Sequence, residues 1–210
     1  MDKKSIAVLG FGRTGQAVLE FLLTRDARSP LVLFNDGEIA DKERQRHFEQ
    51  RGVCFLFGKE KFVELASCAL VIMSPGFDGK DPRFTALRQG GVEVISEIEY
   101  ACRFINARII AVSGSNGKST TVSLIQHLLV SAGRLSHLAG NIGTPLIAAV
   151  SSIVPGSFAV LELSSFQLEE IGRFQPEVAV LLNITPDHLD RYPSMAEYSA
   201  AKFNLFKNQK

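Results

Sequence analysis

The chain has 210 residues, 46% of them hydrophobic and 21% charged, with a formal net charge of +1. This is an ordinary composition for a water-soluble folded chain, long enough for one large domain or two small ones. Near-neutral charge gives nucleic acid or a membrane surface no support as the main partner, and no apolar run approaches bilayer-spanning length.

Met1-Asp2-Lys3-Lys4 leads directly into an apolar strand, residues 5–9, without the longer apolar core of a signal peptide, so a cytoplasmic location is expected. Gly10-Phe11-Gly12-Arg13-Thr14-Gly15 follows, and then a helical pattern carrying Ala17, Val18, Phe21 and Leu22. Leu31–Phe34 is a second strand, ending at Asn35-Asp36-Gly37. Val53–Phe57, Ala69–Met73 and Val92–Ile95 supply three more, the middle one running into Ser74-Pro75-Gly76. Strands alternating with helical patterns predict an α/β fold with a mostly parallel, Rossmann-like sheet. The cysteines, Cys54, Cys68 and Cys102, are odd in number, show no metal or disulfide spacing and sit among apolar residues. Buried thiols are the expectation.

The first loop has the Gly-x-Gly-x-x-Gly form, and Asp36 stands about 20 residues on at the end of the second strand, which meets the description of a dinucleotide site. A glycine turn at a helix N-terminus serves any diphosphate, UDP as well as NAD. Asp36 can accept equally from a ribose hydroxyl or a uracil N–H. An NAD-dependent dehydrogenase is therefore a rival reading at this point.

Glu97–Ile105 reads as a helix leading to a second α/β unit, so the boundary is drawn between 1–98 and 99–210. The strand Arg108–Val112 empties into Gly114-Ser115-Asn116-Gly117-Lys118-Ser119-Thr120. A helix follows, with Val122, Ile125, Leu128 and Leu129 on one face and Gly133 at its end. Strand, glycine loop, Lys-Ser and helix make a phosphate cradle: backbone N–H groups approach the anion and the helix N-terminus adds partial positive charge. Lys118 can neutralise a β/γ-phosphate and the Ser119 hydroxyl can ligate Mg²⁺, so ATP is the expected ligand. The usual pattern opens with a glycine where this chain has Val112. A dehydrogenase has no need of this second loop.

Phe158–Leu161 and Val178–Leu182 are further strands. Glu162 falls at the C-terminal end of the first, where α/β sheets place ligands, and a carboxylate there suits a Mg²⁺ shared with Ser119 and the phosphates. His188, flanked by Asp187 and Asp190, lies past the other strand; His47, His127 and His137 read as surface or satisfied core residues. With so few strands after the phosphate loop, the second unit reads as unfinished, and a piece of a longer enzyme is expected.

Four ordered segments carry a resemblance. Gly114–Thr120, Gly140-Asn141-Ile142-Gly143, Leu161-Glu162-Leu163-Ser164-Ser165-Phe166-Gln167, and Asn183-Ile184-Thr185-Pro186-Asp187-His188, with Ala200-Ala201-Lys202, resemble the Mur ligases, ATP-dependent amino-acid ligases of peptidoglycan precursor synthesis. The loop and the Ser-Ser-Phe-Gln segment look most like those of the member that adds D-glutamate to UDP-N-acetylmuramoyl-L-alanine. The resemblance implies a UDP-binding domain over 1–98, an incomplete central ATP-binding domain over 99–210, and an absent C-terminal domain that binds the incoming amino acid. It implies that Gly12, Arg13 and Thr14 meet the nucleotide diphosphate, Asp36 the uracil, and Ser74, Pro75 and Gly76 the phosphates. Asn141 and Ser164 would hold the sugar-diphosphate end and the peptide arm. It further implies a catalytic set of Lys118, Glu162, His188 and Lys202, and two Mg²⁺ ions held by Ser119, Glu162, His188 and a carbamylated Lys202. If Lys202 is to face Mg²⁺, carbamylation is chemically necessary, since it turns a cation that repels the ion into an anion that supports it. Gly37 and Glu38 follow Asp36 where relatives often carry Thr or Arg, which leaves the uracil contacts open. The expected partners are UDP-N-acetylmuramoyl-L-alanine, D-glutamate and ATP, with a monomer as the working expectation. A non-catalytic UDP-sugar-binding module stays open as the alternative.

Overall fold

A computed structural model describes residues 5–25 and 29–210; Met1–Lys4, the lead-in expected to lack a signal-peptide core, lie outside them. The chain divides into two units, Met1–Glu97 and Ile98–Lys210.

The first unit alternates β1 (Ile6–Leu9), α1 (Arg13–Arg25), β2 (Leu31–Asn35), α2 (Lys42–Gln50) and β3 (Val53–Phe57). A 3-10 segment, Lys59–Ser67, then leads to β4 (Leu70–Met73), α3 (Pro82–Gln89) and β5 (Glu93–Ser96). The sheet order is β3-β2-β1-β4-β5, and every pair is parallel. The central strands are apolar runs because helices cover both of their faces; all four residues of β4 are buried. From β1 the chain passes to β2 on one side and later to β4 on the other. Crevices at such a switch point, outside the carboxyl ends of the strands, are where α/β sheets bind ligands. β3 forms one edge, and there the buried-thiol expectation fails: Cys54 is exposed, Cys102 half-buried and only Cys68 buried. An edge strand leaves part of its surface without a covering element.

The second unit runs α4 (Glu97–Cys102), β6 (Arg108–Ser113), α5 (Lys118–Ser131), β7 (Ser136–Gly140) and α6 (Leu146–Ala149). It continues through β8 (Phe158–Glu162), α7 (Ser165–Glu169), β9 (Val178–Leu181) and α8 (Met195–Phe203). The sheet order is β7-β8-β6-β9, again all parallel. α4 ends three residues before the expected Ile105, because the amides of Arg103 and Phe104 turn back to Tyr100 and Ala101 in tighter i→i−3 bonds. Its Glu99 is buried and accepts from the amides of Gly172, Arg173 and Phe174, fixing the turn after α7. α5 packs Val122, Ile125 and Leu129 on Val112 and Val160 of the sheet. Leu128, expected on that face, is instead 58% exposed. At 3.6 residues per turn it stands roughly 120° round the helix from Val122, whereas Leu129 nearly eclipses it. No helix among the described residues is long and apolar enough to cross a membrane.

Candidate functional site

In the first unit, the ends of β1, β2 and β4 and the start of α3 enclose a cavity of about 700 Å³. Gly12, Arg13, Thr14, Asp36, Ser74, Pro75 and Gly76, all singled out from the sequence, line it together. The glycine loop folds as it does because α1 must start against β1. A Cβ on Gly15 would stand 1.8 Å from the Gly10 carbonyl oxygen, so only glycine allows the helix to begin there. α1 has no acidic residue in its own first turn to offset the positive end of its dipole. The Ser74 hydroxyl is buried beside Gly10 and Gly15 with no hydrogen-bond partner among the described residues. A buried hydroxyl at a helix N-terminus is suited to a phosphate oxygen.

Sequence reasoning missed Arg83. From the first turn of α3 its guanidinium donates to Asp36 at 3.0 and 3.4 Å and to Asp81 at 2.9 Å. It lies over the Phe62 ring, 4.5 Å from the centroid. Asp81, which caps α3, is held below the usual carboxylate range chiefly by its hydrogen bond to Arg83, and the two carboxylates push Arg83 further above its own. An arginine 47 residues from Asp36 in sequence has no short-range signature.

In the second unit the phosphate loop joins β6 to α5. Ser115 and Asn116 serve chiefly to anchor it to the segment after β9. The Ser115 amide donates to the Asn183 carbonyl, and its hydroxyl meets Thr185 and Tyr198. Asn116 and Asn183 exchange two bonds of 3.0 Å each. The amides of Lys118, Ser119 and Thr120, in the first turn of α5, have no helical carbonyl to meet and so could receive an anion. That turn carries no acidic residue either. Lys118 folds back on the loop, Nζ donating to the carbonyls of Gly114 and Ser115 at 2.7 and 2.8 Å.

Glu162, 3% exposed at the end of β8, receives the Ser119 hydroxyl at 2.7 Å on one oxygen and the Asn141 amide at 2.9 Å on the other. Neighbouring Gly140, at φ +106°, permits this approach, since a Cβ there would stand 2.3 Å from the Glu162 carbonyl oxygen. Hydroxyl and carboxylate are hard oxygen donors, and side by side at a phosphate loop they fit Mg²⁺. The expected metal residues do not form a ready-made cage: among the described residues no group of three or more His, Cys, Asp and Glu side chains could hold an ion.

Lys202, on α8, is only 2% exposed, and its Nζ donates to the Gly114 carbonyl at 2.9 Å, the oxygen that Lys118 also uses. Burial, reinforced by the charge of Lys118 and opposed by Asp187, pulls its pKa down to about 8. Lys202 is therefore a core lysine and not a solvated surface one. His188 sits past β9 with its side chain 45% exposed, at φ 51°, its ring 4.8 Å from Phe166 and 3.6 Å from Asp187. Ser164 caps α7 in a reciprocal capping box with Gln167.

Comparison with known proteins follows the same division. The profile of the Mur ligase MurD-like N-terminal domain matches residues 4–96, and that of the Mur ligase middle domain matches residues 112–210. The UDP-N-acetylmuramoylalanine–D-glutamate ligase of Alkaliphilus oremlandii is 39% identical over all of this chain and 46% of its own length. That of Geobacter metallireducens is 41% identical over 98% of this chain and 45% of its own. The chain thus spans about half the length of the curated relatives it matches. Among solved structures, the UDP-N-acetylmuramate:L-alanyl-gamma-D-glutamyl-meso-diaminopimelate ligase of Neisseria meningitides superposes with a TM-score of 0.58 at 16% identity, over 99% of this chain and 68% of that one. A murein peptide ligase of Psychrobacter arcticus gives 0.53 at 17%, over 95% of this chain and 46% of that one. These two likenesses speak for the fold.

Proposed function

The chain belongs to the Mur ligase family, and from that premise we propose that it carries the UDP-substrate and ATP-binding parts of a ligase joining D-glutamate to UDP-N-acetylmuramoyl-L-alanine. The observation that carries the reading is the Ser119–Glu162–Asn141 contact beside Lys118 on a phosphate loop. It supports a site for ATP and Mg²⁺, and relatives named for the D-glutamate reaction support the substrate.

In this reading the first unit takes the UDP moiety: the α1 amides and the Ser74 hydroxyl bind the diphosphate, and Asp36 binds the nucleoside. The second unit takes the triphosphate: the α5 amides hold it, and Lys118 leaves the Gly114 and Ser115 carbonyls to pair with the β/γ-phosphates. Two Mg²⁺ ions, when bound, neutralise the phosphates and polarise the γ-phosphoryl group. Ser119 and Glu162 would hold one; His188 and a carbamylated Lys202 would hold the other. The substrate carboxylate attacks the γ-phosphorus, ADP leaves, and an acyl phosphate results. The D-glutamate amine then attacks that carbonyl and releases phosphate. The chain's own task is charge control, since a carboxylate must approach a polyanion. The buried, partly neutral Lys202 amine supports carbamylation, because only the neutral form adds CO₂.

Because the chain spans about half of these relatives, binding without ligation is the second reading. Calorimetry with UDP-N-acetylmuramoyl-L-alanine, alongside an assay with ATP and D-glutamate, separates them. Binding with turnover excludes the module, binding alone is the result expected of a ligase part as well as of a module, and no binding overturns both.

A further inference from the structure

The geometry points to Arg83 as a base-reading residue: its guanidinium and the Asp36 carboxylate form one donor–acceptor pair that takes the imide edge of a uracil ring. The inference rests on reading the first-unit cavity as a uridine-diphosphate site.

Both residues line that cavity, which also holds the glycine loop and the Ser74 hydroxyl. A diphosphate at the α1 N-terminus leaves the far wall, Asp36 and Arg83, to the nucleoside. The guanidinium has five N–H donors in a rigid plane. Nε and Nη2 meet Asp81 at 2.9 and 2.8 Å, while Nη1 and Nη2 meet Asp36 at 3.0 and 3.4 Å. The hydrogen bonds use one N–H each of Nε, Nη1 and Nη2, so Nη1 keeps its second N–H beside a carboxylate that only accepts. Uracil presents the complement, an N3–H donor flanked by carbonyl acceptors.

The pair is also held rigid. Asp81 is fixed as the α3 cap by the Arg83 amide at 2.9 Å. Phe62, buried and in edge contact with Phe34 and Phe84, supports the guanidinium from one side. A carboxylate pinned at two points offers its remaining lone pairs in one direction, whereas an unpinned one rotates and loses selectivity. A guanidinium that holds two carboxylates at once cannot be replaced by the point charge of lysine.

The test compares UDP with N3-methyl-UDP, which lacks only the imide proton, by calorimetry on the whole chain. The intact protein is expected to prefer UDP about tenfold or more, the size of one charge-assisted hydrogen bond. Arg83→Met is expected to bring the two ligands within about twofold, and Arg83→Lys not to restore the preference. Should Arg83→Met fail to fold, Asp36→Asn, which keeps the shape and removes the carboxylate, is expected to lose the preference in the same way. A preference that survives in the folded variant, or is missing from the intact protein, overturns the role of Arg83. A protein that binds no UDP at all overturns the uridine reading itself, and this inference with it.

Discussion

Lys202 ties the fold to the chemistry, and its titration can be read in stability. Its pKa falls from 10.5 unfolded to about 8 folded, chiefly through burial. Below pH 8 the lysine is ionised in both states, and the folded protein bears the full cost, about 3 kcal/mol at about 1.4 kcal/mol per pH unit. Between about pH 8 and 10.5 the unfolded chain binds more protons than the folded one, so stability climbs with pH, and above that window the cost is gone. Urea unfolding at pH 7.5, 9 and 10.5 in CO₂-free buffer, on the intact chain and on Lys202→Met, isolates this group, because the tyrosines and other lysines cancel in the difference. The intact chain is expected to gain about 3 kcal/mol relative to the variant across the window. Parallel curves would refute the buried, partly neutral amine. They would also remove its support for carbamylation, since a pKa of about 8 leaves roughly a quarter of the amine neutral at pH 7.5, against about a thousandth for an ordinary lysine.

Lys118→Ala is expected to weaken Mg·ATP binding about 100-fold, the loss of charge-assisted bonds to the phosphates, with UDP affinity unchanged; calorimetry with each nucleotide checks both. Gly15→Ala inverts a common rule. Alanine in a helix normally gains about 1 kcal/mol over glycine. Here its methyl meets the Gly10 carbonyl, so a loss of about 3 kcal/mol in first-unit stability is expected, read by thermal unfolding.

The parallel strands were legible because strands covered on both faces are continuous apolar runs, as in Leu31–Phe34 and Ala69–Met73. Both glycine loops were legible because phosphate cradles need glycine and a helix start in sequence order. β7 was not: Ser-His-Leu-Ala-Gly has a single large apolar residue, and its strand character comes from pairing with β8. The helix face of α5 was overdrawn at Leu128, where apolar character alone does not decide direction. Arg83 and the burial of Lys202 depend on contacts 47 and 88 residues away in sequence, beyond the reach of spacing rules. Asn141 was expected at the sugar-diphosphate end from the resemblance alone; that its amide donates to Glu162, 21 residues away in sequence, had no signal in the spacing.

Ser119 and Glu162 are proposed to hold Mg²⁺ against a triphosphate on the α5 N-terminus. ATP titrated into the intact chain and into Glu162→Gln, with and without Mg²⁺, tests it most directly. Mg²⁺ is expected to tighten binding to the intact chain, and the variant to lose at least about tenfold of that gain, the effect of removing a charged oxygen ligand. An equal Mg²⁺ gain in both proteins would contradict it.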